Sequence, residues 1–150
     1  MVGIDIVSIN RIENMVNKFG QKSLKRFLSN KEISLIKNIS TAAGFWAAKE
    51  AASKAIKTGI GQKCTFHDIK ISKNKNHAPK IKYSKKIRKK FKIKKSHLSI
   101  SHDNGFAIAI VQNQSKMLFG VIERNLLVFH LNMQVIFFLC LETKRLLVSV

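Results

Sequence analysis

The sequence of 150 residues is poor in acidic residues and in cysteine, and both shortages restrict what the protein can be. Only 8 Asp and Glu stand against 28 Lys and Arg, which gives a net charge of +20. A field of that sign attracts nucleic acid, anionic lipid, phosphorylated ligands or an acidic protein. Cys64 and Cys140 lie far apart without a metal-ligand spacing. This excludes a disulfide framework and a zinc ribbon.

Signals for export and for membrane insertion are also missing. The N-terminus enters an apolar segment without a basic region or a cleavage site. We therefore expect no secretory signal and a reducing, cytoplasmic location. The longest clean apolar run, residues 133–141, is broken only by Gln134. Because a bilayer-spanning helix needs roughly 20 residues, we expect no transmembrane segment.

The composition changes near residue 117. The last 34 residues hold 3 Lys and Arg and 2 Asp and Glu, so residues 1–116 carry +19 of the charge. We predict one domain at residues 1–116 and an apolar C-terminal extension at residues 117–150. The extension is compatible with an extra strand or helix pair, an interface element or a non-native read-through segment, and its sequence does not choose among them.

Hydrophobic periodicity predicts an α+β fold, with one strand followed by several helices and then more strands. The first strand is predicted at residues 2–7, and a helix capped by Ser8 follows and ends at Gly20. Ser29 and Glu32 form a capping box for a helix to about residue 37. An alanine-rich helix is predicted at residues 41–57. Further strands are predicted around residues 69–71, 79–83, 98–101 and 106–111, with a helix at residues 84–91.

Asp5 stands inside the first predicted strand, where alternation places its side chain on one defined face. A carboxylate in an apolar strand is costly unless it is paired or bound to a cation. For Asp5 alone, the simpler interpretation is a strand-end residue that caps a helix or pairs with Arg11.

Glu50 strengthens the case for a metal site. It lies in the alanine-rich helix, with Lys54 four residues further on the same face. Alone, this is an ordinary helical ion pair worth about 0.3–0.5 kcal/mol. Together, Asp5 and Glu50 are the sparse protein ligation that Mg²⁺ accepts when water and phosphate oxygens complete its octahedron. Adjoining lysines can neutralise a phosphate.

Three segments carry a resemblance to a known family: VGIDIV at residues 2–7, WAAKEAASKAIKTGIG at 46–61 and LSISHD at 98–103. Over about residues 2–112 the sequence resembles phosphopantetheinyl transferases of the acyl-carrier-protein synthase type. The resemblance implies helices packed on a mainly antiparallel sheet, and a homotrimer with active sites between subunits. It also implies Mg²⁺-dependent transfer of 4′-phosphopantetheine from coenzyme A to a serine of an acidic apo-acyl-carrier protein, with release of adenosine 3′,5′-bisphosphate.

The resemblance assigns roles to individual residues. The expected catalytic residues are Asp5 and Glu50, which match magnesium ligands, and Lys54, which matches a lysine on the pyrophosphate. Positions expected near coenzyme A are Lys49, Ser53, Gly61, Ser101 and His102. Positions expected to dock the carrier protein are Arg11, Met15 and Lys18. The general base stays open between Glu50 and a metal-bound water.

Two positions depart from the family pattern, and both bear on the affinity for coenzyme A. Phe45 stands where relatives commonly carry arginine. His77-Ala78-Pro79 replaces a more usual Gly-x-Pro near the nucleotide.

The alternative function is a small basic RNA- or DNA-binding module. Residues 80–95 contain ten Lys and Arg in sixteen positions, and such a run can bind a phosphate backbone without sequence specificity. The run includes only two aromatic residues, Tyr83 and Phe91, so no stacking platform is evident. We therefore expect no specific nucleic acid partner, and we expect the basic surface to steer the acidic carrier protein.

Overall fold

The structure is a computed structural model that describes residues 1–115. In chain order it contains β1 (Val2–Ser8), α1 (Ile9–Phe19), α2 (Lys22–Lys25), α3 (Asn30–Ile33), α4 (Ile39–Ala55), a 3-10 helix (Phe66–Asp68), β2 (Ile69–Lys73), β3 (Pro79–Tyr83), α5 (Lys85–Lys90), β4 (Ile93–Asp103) and β5 (Phe106–Ser115). The predicted α+β class is confirmed. The predicted extension lies outside the described residues, so the division into a domain and an extension remains a prediction.

Two antiparallel sheets organise the strands. β1, β5 and β4 form a three-stranded sheet in that order, and β2 pairs with β3. Because strand side chains alternate, the larger sheet has two distinct faces. One face packs on α4 through Gly3, Val7, Ala107, Ala109 and Val111. The other face exposes Val2, Ile4, Ile6, Phe106, Ile108 and Ile110, which are 36 to 65% exposed.

The long helix α4 is central to the core. Its many alanines favour a helix, and their small side chains allow neighbouring strands to pack close to its backbone. The Asn38 side chain caps it by accepting a 2.9 Å hydrogen bond from the Thr41 amide. At Gly3 a Cβ would clash with the Ala51 carbonyl oxygen and lie 2.5 Å from the Ala55 nitrogen. The close approach of β1 to α4 therefore requires glycine.

Most predicted elements are present, with differences at their ends. The capping box is confirmed, since Glu32 Oε2 accepts from the Ser29 amide at 2.7 Å. That helix ends at Ile33 because the following turns use 3-10-type bonds, including the one from the Leu35 amide to the Glu32 carbonyl. Ser8 occupies the N-cap of α1 but makes no side-chain cap hydrogen bond.

The β4–β5 hairpin is longer than the sequence indicates. β4 begins at Ile93 rather than near residue 98, because β5 continues to Ser115 and pairs with the earlier residues. The turn contains Asn104 and Gly105 at φ 44° and 80°, values that these two residue types adopt readily. Among residues 1–115, no helix is both long enough and apolar enough to cross a membrane.

Candidate active site

Asp5 and Lys54 meet where β1 lies against α4. Asp5 points to the same side of β1 as Gly3 and Val7, which is the side that packs on the helix. The Lys54 Nζ atom lies 2.7 Å from Asp5 Oδ1. The lysine side chain is 53% exposed and the aspartate side chain 13% exposed. Asp5 therefore pairs with Lys54 and not with Arg11, the partner considered from sequence.

Glu50 interacts electrostatically with both Asp5 and Lys54. Burial raises the pKa of Glu50, and the negative charge of Asp5 raises it further, whereas Lys54 and Arg11 lower it. The hydrogen bond to Asp5 raises the pKa of Lys54. These mutual effects place two carboxylates from different elements within electrostatic reach of each other, with cations beside them.

The donor set at this junction fits Mg²⁺. Asp5 and Glu50 offer hard carboxylate oxygens, and their mutual repulsion would be relieved by a divalent cation. Within residues 1–115, no group of three or more His, Cys, Asp or Glu residues is placed to hold a metal. The protein would therefore supply two ligands, and water and substrate oxygens the others, which is common for Mg²⁺ at phosphate sites.

Lys49 lies next to Glu50 in sequence but points into the core. It is fully buried, and its Nζ atom lies 2.7 Å from the Phe27 carbonyl, 3.1 Å from the Phe66 carbonyl and 2.9 Å from Glu32 Oε1. Three acceptors engage the three donors of the ammonium group. This geometry departs from the expectation that Lys49 contacts coenzyme A, because it leaves no donor for a ligand.

Ser53 and Gly61, two further positions expected near coenzyme A, also make internal bonds. Ser53 is fully buried, and its hydroxyl donates to the Glu50 carbonyl at 2.8 Å. Gly61 is exposed in the loop after α4, and its amide donates to the Cys64 carbonyl at 2.9 Å. Ser53 therefore departs from the expected ligand contact, whereas Gly61 still presents an open surface.

Ser101 and His102 lie at the exposed end of β4, beside the first turns of α4. His102 Nε2 lies 2.8 Å from the Ser40 carbonyl, and a Cβ on Gly44 would lie 2.8 Å from the same nitrogen. Glu50 is six residues beyond Gly44 and Lys54 is ten, or about 9 and 15 Å along a helix axis. Ser101 and His102 therefore lie near the start of α4, whereas Glu50 and Lys54 lie towards its end.

The positions expected to dock the carrier protein lie on α1. Arg11 and Lys18 are exposed and Met15 is half-buried. The Arg11 guanidinium lies 5.4 Å from the ring centroid of Trp46 on α4. Trp46 in turn contacts Phe27 and Phe66 with ring centroids 4.9 Å apart in each case. An aromatic cluster therefore supports Arg11 close to the acidic pair.

Sequence reasoning missed the second role of Glu32, which it treated only as a helix cap. Glu32 is buried and accepts hydrogen bonds from the amides of Ser29 and Ile71 as well as from Lys49. The scarcity of carboxylates in this chain was the available signal. With only 8 Asp and Glu present, a glutamate three residues after the capping serine could be expected to have a further partner.

An α+β fold that brings two carboxylates and a lysine together where its first strand meets its central helix has the groups that a transferase of phosphorylated substrates needs. Residues 1–111 match the sequence model of the 4′-phosphopantetheinyl transferase superfamily. The chain belongs to this superfamily. The family, enzyme class and fold class predicted from sequence are thereby confirmed.

Several proteins similar to this chain are named holo-[acyl-carrier-protein] synthase. The holo-[acyl-carrier-protein] synthase of Aliarcobacter butzleri is 66% identical over 116 residues, which cover 77% of this chain and 98% of that protein. The enzyme of the same name from Nautilia profundicola is 60% identical over 111 residues, 74% of this chain and 96% of its own length. The crystal structure of Helicobacter pylori holo-[acyl-carrier-protein] synthase in complex with coenzyme A aligns with a TM-score of 0.74 at 53% identity, covering 76% of this chain and 100% of that one.

Proposed function

We propose that this protein transfers 4′-phosphopantetheine from coenzyme A to a serine of apo-acyl-carrier protein, using Mg²⁺ and releasing adenosine 3′,5′-bisphosphate. The observation that carries the proposal is the junction of β1 and α4, where Lys54 lies 2.7 Å from Asp5 and the charge of Asp5 acts on Glu50. The names of the relatives and the coenzyme A bound to the Helicobacter pylori enzyme support the choice of substrates.

The proposed chemistry divides among three side chains. Asp5 and Glu50 would hold Mg²⁺, which would supply positive charge to the coenzyme A pyrophosphate. The carrier-protein serine forms a bond to the β-phosphorus, and the bond from that phosphorus to the bridging oxygen breaks. Lys54 donates to the departing phosphate and stabilises its growing charge. The base for the serine hydroxyl stays open between Glu50 and a metal-bound water.

The test measures the intact mass of an apo-acyl-carrier protein after incubation with this protein, coenzyme A and Mg²⁺. We expect the carrier to gain one phosphopantetheine, and we expect chelation of the metal to prevent the gain. Asp5→Ala and Glu50→Ala should each lose transfer at least about 100-fold, the scale on which positioned charges act in catalysis. Glu13→Ala removes an exposed carboxylate from α1 and serves as the control. Near-normal transfer by a folded Asp5→Ala or Glu50→Ala variant would contradict the metal assignment.

We further propose a homotrimer with active sites between subunits. The apolar outer face of the three-stranded sheet supports association, because exposed apolar patches commonly mark interfaces. His102 lies beside Gly44, about 9 Å along α4 from Glu50, and a site between two subunits could use the His102 of one subunit with the acidic pair of its neighbour. The threefold order follows from the resemblance to the family.

The proposed carrier protein is acidic and docks on Arg11, Met15 and Lys18 in the cytoplasm. The strong positive charge of the chain would speed its encounter with such a partner. The alternative of a nucleic-acid module is weakened by Tyr83, which is 2% exposed and donates its hydroxyl proton to the Ala52 carbonyl. Tyr83 therefore offers no ring face to a base, and Phe91 alone makes no stacking platform.

A further inference from the structure

The ion pair between Lys54 and Asp5 joins a fixed group to a movable one. Asp5 is fixed in β1, which pairs with β5 so that Asp5 lies opposite Ala109. Its short side chain is largely covered. Lys54 carries its ammonium on four methylene groups, and more than half of its side chain is exposed. Ion pairs with an exposed partner are weak and are screened by salt.

Lys54 is also the cation in closest contact with the proposed metal ligands. Within residues 1–115, the ion pairs are Lys54 with Asp5 and Lys49 with Glu32. Arg11 influences Glu50 from a distance, but its guanidinium is placed over the Trp46 ring. An oxygen of Asp5 that accepts an ammonium group at 2.7 Å cannot at the same time accept a metal ion in the same direction.

From this geometry we propose that Lys54 is an internal competitor of the divalent cation in the free enzyme and its helper in the substrate complex. The ammonium group occupies Asp5 until coenzyme A and the cation arrive together, and it then moves to a phosphate oxygen. The inference rests on the proposed function. It adds that Lys54 opposes metal binding before substrate binds and favours it afterwards.

The test compares Mn²⁺ binding by the full chain and by Lys54→Met, using electron paramagnetic resonance of free Mn²⁺. Without coenzyme A, we expect Lys54→Met to bind Mn²⁺ about two- to fivefold more tightly, the range that corresponds to an exposed ion pair. With saturating coenzyme A, we expect the order to reverse, because the variant lacks the cation that joins the phosphate to the site. If Lys54 had only a structural role, its replacement would change the Mn²⁺ affinity in the same direction with and without coenzyme A.

Lys57→Asn is the matched control. Lys57 is exposed just beyond α4, makes no ion pair within residues 1–115, and has a φ of 58° that asparagine tolerates. Its replacement removes one positive charge without touching Asp5, so we expect a smaller increase in Mn²⁺ affinity and no reversal with coenzyme A. Thermal unfolding of each variant confirms that it is folded.

The outcomes separate the inference from the proposed function. Equal tightening by Lys54→Met and Lys57→Asn, weaker binding by Lys54→Met without coenzyme A, or absence of Mn²⁺ binding by both the wild type and Lys54→Met would each overturn the competition. If the wild-type chain still modifies the carrier protein in the mass assay, the inference alone fails. If it does not modify the carrier, the proposed function fails as well.

Discussion

At the scale of single residues, Glu32 and Lys49 connect segments that the sequence keeps far apart. Glu32 accepts from the amides of Ser29 and Ile71, and Lys49 adds bonds to the carbonyls of Phe27 and Phe66. The pair therefore ties α4 to α3, to β2 and to the 3-10 helix. Because Lys49 precedes Glu50, these bonds also fix the rotation of α4 that directs Glu50 towards Asp5.

Replacing Lys49 by methionine should destabilise the fold strongly. The change leaves the Glu32 carboxylate buried without its cation, and removal of one partner from a buried pair costs about 3–5 kcal/mol. The measurement is the free energy of unfolding from urea titration. Lys54→Met removes an exposed lysine from the same helix and should change this value little. A Lys49→Met protein as stable as the wild type would show that the buried pair does not hold α4.

The same pair predicts how stability depends on acid. Burial alone would raise the pKa of Glu32, but the amides of Ser29 and Ile71 and the Lys49 ammonium hold it below its ordinary value of 4.5. Since the unfolded chain takes up this proton first as the pH falls, the stabilisation is complete above the ordinary pKa and is lost progressively below it.

Unfolding free energies measured from neutral pH down to about pH 3 test this dependence. Glu32→Gln cannot take up the proton, so its stability should fall less steeply below the ordinary pKa than that of the wild type. Equal slopes in the two proteins would assign the acid sensitivity to other carboxylates.

At the scale of elements, the contact between β1 and α4 positions the site. Gly3→Ala places a methyl group against backbone atoms of Ala51 and Ala55, which cannot rotate away. β1 must then shift from the helix, at a cost of about 1–3 kcal/mol. Because Asp5 is two residues further on the same face, transfer should fall together with stability.

The Gly3→Ala prediction is checked by urea unfolding and by the carrier-protein mass assay. Gly61→Ala is the control for stability, because a Cβ there meets no atom within 4 Å and the residue does not have a positive φ. Wild-type stability in Gly3→Ala would mean that β1 and α4 can separate without consequence.

Local patterns were sufficient to predict the elements but not the directions of their side chains. Alanine content predicted α4, and alternation predicted the strands. Lys49 directly precedes Glu50 and points about 100° away from it around the helix, whereas Lys54 follows four residues later on nearly the same face. Which of the two lysines faces solvent depends on the packing of α3 and the 3-10 helix, which no local pattern contains.

At the scale of the whole molecule, the outer face of the three-stranded sheet is expected to form the trimer. Ile110 lies on the central strand β5 and is 44% exposed. Ile110→Lys should leave the subunit folded, reduce the mass measured by light scattering to that of a monomer, and abolish transfer. Phe19→Lys is the matched control, since Phe19 is 54% exposed on α1, away from the sheet. An Ile110→Lys protein with the wild-type mass would contradict this interface.

A shared active site makes a stricter prediction, because two inactive variants should restore each other. Asp5→Ala removes a carboxylate from one half of the proposed interfacial site, and His102→Ala removes an imidazole from the other half. We therefore expect each variant alone to transfer poorly. In trimers mixed at random from equal amounts, about a quarter of the interfaces combine an intact Asp5 from one subunit with an intact His102 from its neighbour. Transfer should therefore recover to about a quarter of the wild-type rate.

The control for restoration mixes Asp5→Ala with Glu50→Ala. Asp5 and Glu50 act from the same subunit, so every chain in that mixture carries a defective acidic pair, and transfer should stay absent. Recovery in the control would mean that the two carboxylates come from different subunits. Failure of the Asp5→Ala and His102→Ala mixture, with trimers present, would place the complete site within one subunit.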